Sequence, residues 1–275
     1  MADSSSVNSA KIRNTYDIIK EEFSLEQLEN FNYLLANYYI VDSSTKAVPS
    51  VFNSKEMLSK DLSIEKEDND EIQILIYHTH ASETYIDSRE GEWEDTVAGP
   101  GEYLTQLLVK KGYNVYHDKT AYDKKNGQDN RNYAYSTARP SIEKFLEENK
   151  SVKVIIDLHR DAGEKRVTTV DGKAAAQIMF FNGLCRNQDG PIADLVNPYI
   201  TSNLAFSLQA NLIGRSMYPG LMYKIYLKNY RYNQHFCERY LLIELGTDKN
   251  TVEEAYNSMP YLADILDIVL SGGKN

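Results

Sequence analysis

An α/β fold, a mostly parallel central sheet with helices on both faces and a short helical extension ahead of it, is predicted by two features of the sequence. From Glu71 onward, short β-rich runs alternate with longer helical patterns, the signature of strands joined by helical crossovers. Two of those runs, Lys153–Leu158 and Leu241–Leu245, are almost continuously apolar, as strands covered on both faces must be.

Taken in order, residues 1–9 are polar and expected to be mobile. Residues 10–40 read as helical, with one apolar stripe through Ile18, Ile19, Phe23 and Leu25 and a second through Leu28, Phe31, Leu34 and Leu35. Ser24 to Gln27 has capping-box spacing, so two short helices should meet near Ser24. Residues 42–70 lose periodicity and collect Ser, Lys, Asp and Glu, which suggests a linker or loosely packed strap. The chain is therefore divided into a helical extension and linker, 1–70, and an α/β unit, 71–275. In that unit, strands are expected at Ile72–Tyr77, Asn114–His117, Lys153–Leu158, Gln177–Asn182, Met222–Tyr226 and Leu241–Leu245. Helices are expected at Gly101–Lys111, Ser136–Glu148, Ile192–Ser216 and Glu253–Leu270.

Composition narrows the function. The 275 residues are 42% hydrophobic and 25% charged, close to the globular average. No apolar run is long enough to span a bilayer, and Met1 to Val7 lacks the apolar segment of a signal peptide. The formal charge is −10, and Lys110-Lys111, Lys124-Lys125 and Lys165-Arg166 are isolated basic pairs, so nucleic acid is not an expected partner. Cys185 and Cys237 make neither a disulfide framework nor a zinc ribbon and read as small, partly buried hydrophobes.

In open α/β sheets ligands bind beyond the carboxyl ends of the strands. The first run is followed by His78, Thr79, His80 and Glu83, the third carries Asp157, His159, Arg160 and Asp161, and the last holds Glu244 with Gly246. Imidazole and carboxylate converging there suit zinc, which in catalytic sites takes three protein ligands and leaves one position open. His80 and Glu83, three residues apart, and a distant His159 are the candidate ligands. Glu92 and Glu94 compete with Glu83 for the carboxylate position. His78 follows the strand directly and reads as a positioning or substrate-binding residue, while Asp157 is placed either to orient His159 or to bind metal. Glu244 within Leu-Leu-Ile-Glu-Leu-Gly would be costly to ionise unless paired or near a cation. His117 and His235 join no obvious cluster.

Four segments carry a family resemblance: Ile-Tyr-His-Thr-His-Ala-Ser-Glu-Thr-Tyr (76–85), Asp-Leu-His-Arg-Asp-Ala (157–162), Arg-Tyr-Asn-Gln (231–234) and Leu-Ile-Glu-Leu-Gly-Thr-Asp-Lys-Asn-Thr (242–251). Together they resemble the stage II sporulation protein P family over about residues 71–270. That family is similar to the zinc-dependent N-acetylmuramoyl-L-alanine amidases. The resemblance implies a peptidoglycan hydrolase of endospore engulfment that cuts the amide between N-acetylmuramic acid and L-alanine. A cross-link endopeptidase activity, the transglycosylase SpoIID as partner, and a location on the extracytoplasmic face of the septal and engulfing membrane come with it. It matches His80, His159 and Glu244 to the first histidine, second histidine and late catalytic glutamate. The broader amidase group takes its metal glutamate from farther downstream, near Glu94, whereas the His80–Glu83 spacing follows the metallocarboxypeptidases. Arg160 is the candidate cation for an oxyanion or a stem-peptide carboxylate, with a salt bridge to Asp161 or Asp157 as its bland alternative, and Asn233 and Gln234 are candidate substrate contacts. The family normally begins with a membrane-spanning segment, so a soluble or processed form of an anchored protein is expected. The alternatives are a zinc carboxypeptidase or endopeptidase on wall peptides, and a non-catalytic wall-binding scaffold.

Overall fold

The computed structural model describes residues 14–67 and 69–273; the expectation for residues 1–9 lies outside them. The chain passes through α1 (Thr15–Glu22), α2 (Leu25–Glu29) and α3 (Phe31–Tyr38) into strand β1 (Tyr39–Val41), then α4 (Ser54–Ser59). Next come β2 (Ile74–Tyr77), α5 (Ala98–Lys110), β3 (Val115–His117), a hairpin of β4 (Lys124–Lys125) and β5 (Gln128–Asp129), and α6 (Ala134–Glu148). There follow β6 (Val154–Asp161), a hairpin of β7 (Val167–Val170) and β8 (Lys173–Ala176), β9 (Ile178–Gly183), α7 (Ile200–Met217), β10 (Ile225–Lys228), β11 (Tyr240–Thr247) and α8 (Val252–Leu270).

Seven strands form the main sheet in the order β1-β10-β9-β11-β6-β2-β3. Every pairing is parallel except β9 with β11. The expected fold class is therefore observed, and each of the expected strands lies in this sheet.

The two faces follow the period of a strand, in which alternate side chains point opposite ways. Val154, Ile156 and Leu158 of β6 join Leu241, Ile243 and Leu245 of β11 in one large cluster with α5, α7 and α8. Leu75 and Tyr77 of β2, Ile155 of β6, and Tyr240 and Leu242 of β11 face the other way, where Ala138 and Ile142 of α6 cover them. Asp157, His159 and Glu244 continue the α6-facing register.

Residues 14–62 depart from the expected extension. Ile19, Leu28, Leu34, Tyr39, Met57, Leu58 and Leu62 are buried in the large cluster with α7 and α8, and β1 is a parallel edge strand on β10. The segment expected to be a loose linker contains α4, and Gln209 of α7 donates to the carbonyls of Met57 and Lys60 at 2.8 and 2.9 Å. The cause lies in α7, whose residues from Asn203 to Gly214 are all buried. A helix buried all round needs a cover on the side away from the sheet, and α1 and α4 supply it. Near Ser24 the expectation of two helices becomes three, with Ser24 capping α2 by accepting the Gln27 N–H. Cys185 and Cys237 are both free.

Candidate active site

Strand β2 delivers a tight loop at its carboxyl end, and this loop turns His80 and Glu83 toward β6. His80 Nδ1 lies 3.5 Å from Glu83 Oε1, and His159 Nδ1 lies 3.5 Å from Glu83 Oε2. One ligand atom from each of His80, Glu83 and His159 falls within 4.8 Å of the others. Glu94 is exposed on a short 3₁₀ turn and takes no part, so geometry brings Glu83, not Glu92 or Glu94, to the two histidines. Two imidazoles and a carboxylate are the donor types zinc accepts. His80 Nε2 and Glu244 Oε2 are buried without a hydrogen-bond partner, and on these observations the donor set fits a divalent cation.

Asp157 holds His159 from behind. Its Oδ1 is 2.8 Å from His159 Nε2, though off the line of a hydrogen bond. It accepts the Thr79 N–H at 2.8 Å on Oδ1 and the Thr79 hydroxyl at 2.7 Å on Oδ2. A carboxylate behind a ligating imidazole fixes the ring and raises its basicity. Electrostatics agrees: burial opposes charge on His159, but Asp157 and Glu83 outweigh it and hold its pKa well above 6.5. Burial likewise works to raise the Asp157 and Glu83 carboxyls, yet the neighbouring histidines keep both below their ordinary values.

Glu244 pairs in register with His159 across β11 and β6. Burial raises its pKa strongly, opposed by His159 and reinforced by Glu83. The register breaks between Glu244 and Thr247. There Gly246 adopts φ +63°, and a Cβ on it would stand 2.6 Å from Asn250 Oδ1. The glycine therefore lets the strand bulge past the Asn250 side chain just after Glu244.

The other candidates are placed as follows. His78 is fully buried on the opposite face of the sheet. Its Nδ1 donates to the Leu158 carbonyl at 2.8 Å, which leaves Nε2 to accept from His117 Nε2 at 2.8 Å. It touches β6 and His117, not the open side of the site. Gln234 is also fully buried; its amide accepts the Gly183 N–H and donates to the Phe181 carbonyl, both at 2.9 Å. Asn233 donates to the Tyr135 carbonyl at 3.1 Å. These two side chains clamp a loop rather than project from it. Arg160 donates its backbone N–H to Glu83 at 3.0 Å and its Nε to the Thr84 carbonyl at 2.8 Å. Its guanidinium makes no salt bridge with Asp157 or Asp161; Asp161 pairs with Arg166 at 2.8 Å.

Two site residues carry no sequence signal. Arg131, just ahead of α6, donates to Glu83 Oε1 at 3.0 Å. Tyr135 in the first turn of α6 sets its ring 5.7 Å from that of His80 and stacks at 6.3 Å on that of His159. Both arrive from a segment whose local pattern is that of any helix start, so only the fold reveals them.

A family model described as stage II sporulation protein P matches residues 5–267. The chain belongs to the stage II sporulation protein P family. A curated family member from Bacillus subtilis (strain 168), stage II sporulation protein P, is 29% identical over 209 residues, covering 70% of this chain and 49% of the relative. The chain thus spans about half the length of that relative. Among solved structures, the amidase AmiC2 of Nostoc punctiforme is similar at 8% identity, covering 74% of this chain and 97% of its own, with a TM-score of 0.41. The CwlD amidase of Clostridioides difficile, solved in complex with the GerS lipoprotein, is similar at 15% identity over 73% and 95% of the two chains, with a TM-score of 0.41. No helix among the described residues of this family member is long and apolar enough to cross a membrane.

Proposed function

We propose that the chain is a metal-dependent peptidoglycan hydrolase that cleaves the amide between N-acetylmuramic acid and the L-alanine of the stem peptide during endospore engulfment. The observation that carries this reading is the convergence of His80, Glu83 and His159 donors within 4.8 Å, with Glu244 beside His159. Family membership supports the substrate and the setting: the extracytoplasmic face of the septal and engulfing membrane, with the transglycosylase SpoIID as partner on the same wall.

His80, Glu83 and His159 would hold zinc, which supplies a polarised carbonyl and a water acidic enough to attack near neutral pH. Asp157 keeps the His159 ring oriented. Glu244, raised by burial, takes the proton of the attacking water and passes it to the leaving nitrogen, base first and acid second. Arg131 and Arg160 keep positive charge beside Glu83, where an oxyanion developing on the carbonyl would meet it.

Paired variants test the assignment. Glu244→Gln should retain metal while turnover of muropeptides falls at least ~100-fold. Glu83→Gln should lose metal and rate together, since it removes a charged ligand. Metal content by mass spectrometry and product release by chromatography read the two effects separately. Metal loss in Glu244→Gln with retention in Glu83→Gln would reverse the roles. Full activity after chelation would end the metallohydrolase reading. A wall peptidase on the same site is the second reading, and the identity of the released fragments separates the two.

A further inference from the structure

Tyr135 is a wall shared by two spaces. On one side its ring faces His80 and His159. On the other it lines a cavity of about 350 Å³ together with Arg139, Leu195, Tyr230, Arg231 and Tyr232. The protein is acidic overall, at −10, yet this cavity gathers two guanidinium groups. Arg139 makes an exposed ion pair with Glu143 at 2.8 Å. Arg231 donates to the Val196 carbonyl at 3.3 Å, and no carboxylate stands within ion-pair distance of it among the described residues. Arg139 and Arg231 line the same cavity; burial and then Arg139 lower the Arg231 pKa, and Glu143, the partner of Arg139, offsets part of that charge. Nearby His235 is held neutral, its pKa lowered to about 4 by burial and by the same two arginines.

The loop that presents Arg231 is held in an unfavourable backbone conformation. Tyr232 and Asn233 both lie in the left-handed region, at φ 49° and 56°. Asn tolerates that region, whereas a bulky residue such as Tyr rarely enters it. The surroundings enforce it. A Cβ on Gly183 would meet the Tyr230 carbonyl oxygen at 2.2 Å, so the loop can press on β9 only at a glycine. Gln234 ties the loop to Gly183 and Phe181, and Asn233 ties it to the first turn of α6. The two strained residues directly follow Arg231, and the ties at Asn233 and Gln234 fix the loop from which Arg231 leaves.

We propose that the Arg139–Arg231 cavity is a subsite for an internal carboxylate of an acidic peptide, one or two residues beyond the amide that is cut. Guanidinium groups grip carboxylates through paired, charge-assisted hydrogen bonds. The tyrosines flank the peptide's apolar portions, and because Tyr135 borders both the candidate ligand cluster and this cavity, a chain extended by a residue or two, at about 3.3–3.6 Å each, reaches from one to the other. Tyr230 is 56% exposed, so the rim is open and a chain can continue through it; a pocket for a chain terminus would close there. The assignment rests on the hydrolase reading above, and it specifies the substrate: a stem whose residue after alanine has a free carboxylate.

The test uses product-like peptides, which bind without being cut. Isothermal titration of the metal-loaded protein compares an L-alanyl-γ-D-glutamyl-diamino acid tripeptide carrying the free glutamate α-carboxylate, its α-carboxamide, and its C-terminal amide. The free form should bind about tenfold more tightly than the α-carboxamide, and C-terminal amidation should change little. Arg231→Met should abolish the preference and Arg139→Met should weaken it, with thermal melts confirming that both are folded. The subsite is overturned by equal binding of the α-carboxamide, by a preference that survives the double variant, by loss of binding on C-terminal amidation instead, or by inorganic phosphate competing as strongly as the peptide. Discrimination without hydrolysis of muramyl peptides would refute the hydrolase reading and leave the subsite standing. Hydrolysis without discrimination would do the reverse.

Discussion

On the face covered by α5, α7 and α8 the sheet presents aliphatic side chains, Ile74, Ile76, Val154, Ile156, Leu241 and Ile243 among them. On the α6 face it presents Tyr77, Phe181 and Tyr240 beside Leu75, Ile155 and Leu242. The hydroxyls of Tyr77 and Tyr240 meet, and Tyr240 reaches Asp157 at 3.3 Å. The first face is a thick, dry layer to which residues from Ile19 to Leu62 add. The second is thin, and its polar tips lead through Asp157 to His159. A sheet can thus divide its labour by the period of its strands: odd residues of β6 build the site and even residues build the core. Stability and chemistry should accordingly respond to different substitutions.

The largest effect is expected from removing residues 1–70. Apolar side chains between Ile19 and Leu62 fill the core around α7, so the remainder should lose cooperative melting and precipitate or bind hydrophobic dyes. A soluble monomer with an unchanged melt would break the claim of one shared core and favour reading residues 1–70 as a separate extension. Next comes a contrast across the sheet. Phe206→Ala, in the dry layer, should cost about 3–5 kcal/mol in denaturant unfolding while metal affinity stays near that of the parent. Asp157→Asn should instead weaken metal binding by about 10–100-fold. If the dry-layer variant loses metal while still folded, the division between faces is wrong.

A smaller effect concerns pH. His78 stays neutral in the fold because burial, and then His117, depress its pKa from 6.5 to about 3. The unfolded chain takes up a proton that the folded chain refuses. This contribution to stability is therefore complete above about pH 6.5 and is lost as pH falls from there toward 3. Nitrogen NMR of His78 should show a neutral, Nδ1-protonated ring at pH 5, and an imidazolium signal there would contradict the packing described. The smallest effect is expected from Tyr240→Phe, which removes one hydroxyl from the α6 face. It should cost about 1 kcal/mol and loosen metal binding less than Asp157→Asn does. An equal loss in both would mean that the hydroxyl, rather than the carboxylate, orients His159.

Much of this is legible in the sequence alone. Lys153–Leu158 and Leu241–Leu245 announced buried strands through their continuous apolar character. His80, His159 and Glu244 could be singled out because each follows or ends such a run. Strand β1 was not legible: Tyr39, Ile40 and Val41 continue the apolar pattern of the helix before them, and only pairing with β10 makes them a strand. Nor was the burial of α4, whose six residues are too few to show a period.

At the site, local sequence determined the ligand types, the His80–Glu83 spacing, and the faces on which Asp157, His159 and Glu244 would stand. Alternation along a strand depends only on neighbouring residues, and it holds whatever the strand pairs with. Tertiary structure decided the rest. It chose Glu83 over Glu94 and retired His78 and Gln234 to buried hydrogen bonds. It also carried Arg131 and Tyr135 from the start of α6 to the candidate ligands and set Arg139 and Arg231 in one cavity. Those choices join residues that are about 50 to 100 positions apart, and a contact across such a separation is made by packing a helix on a sheet, which no local pattern encodes.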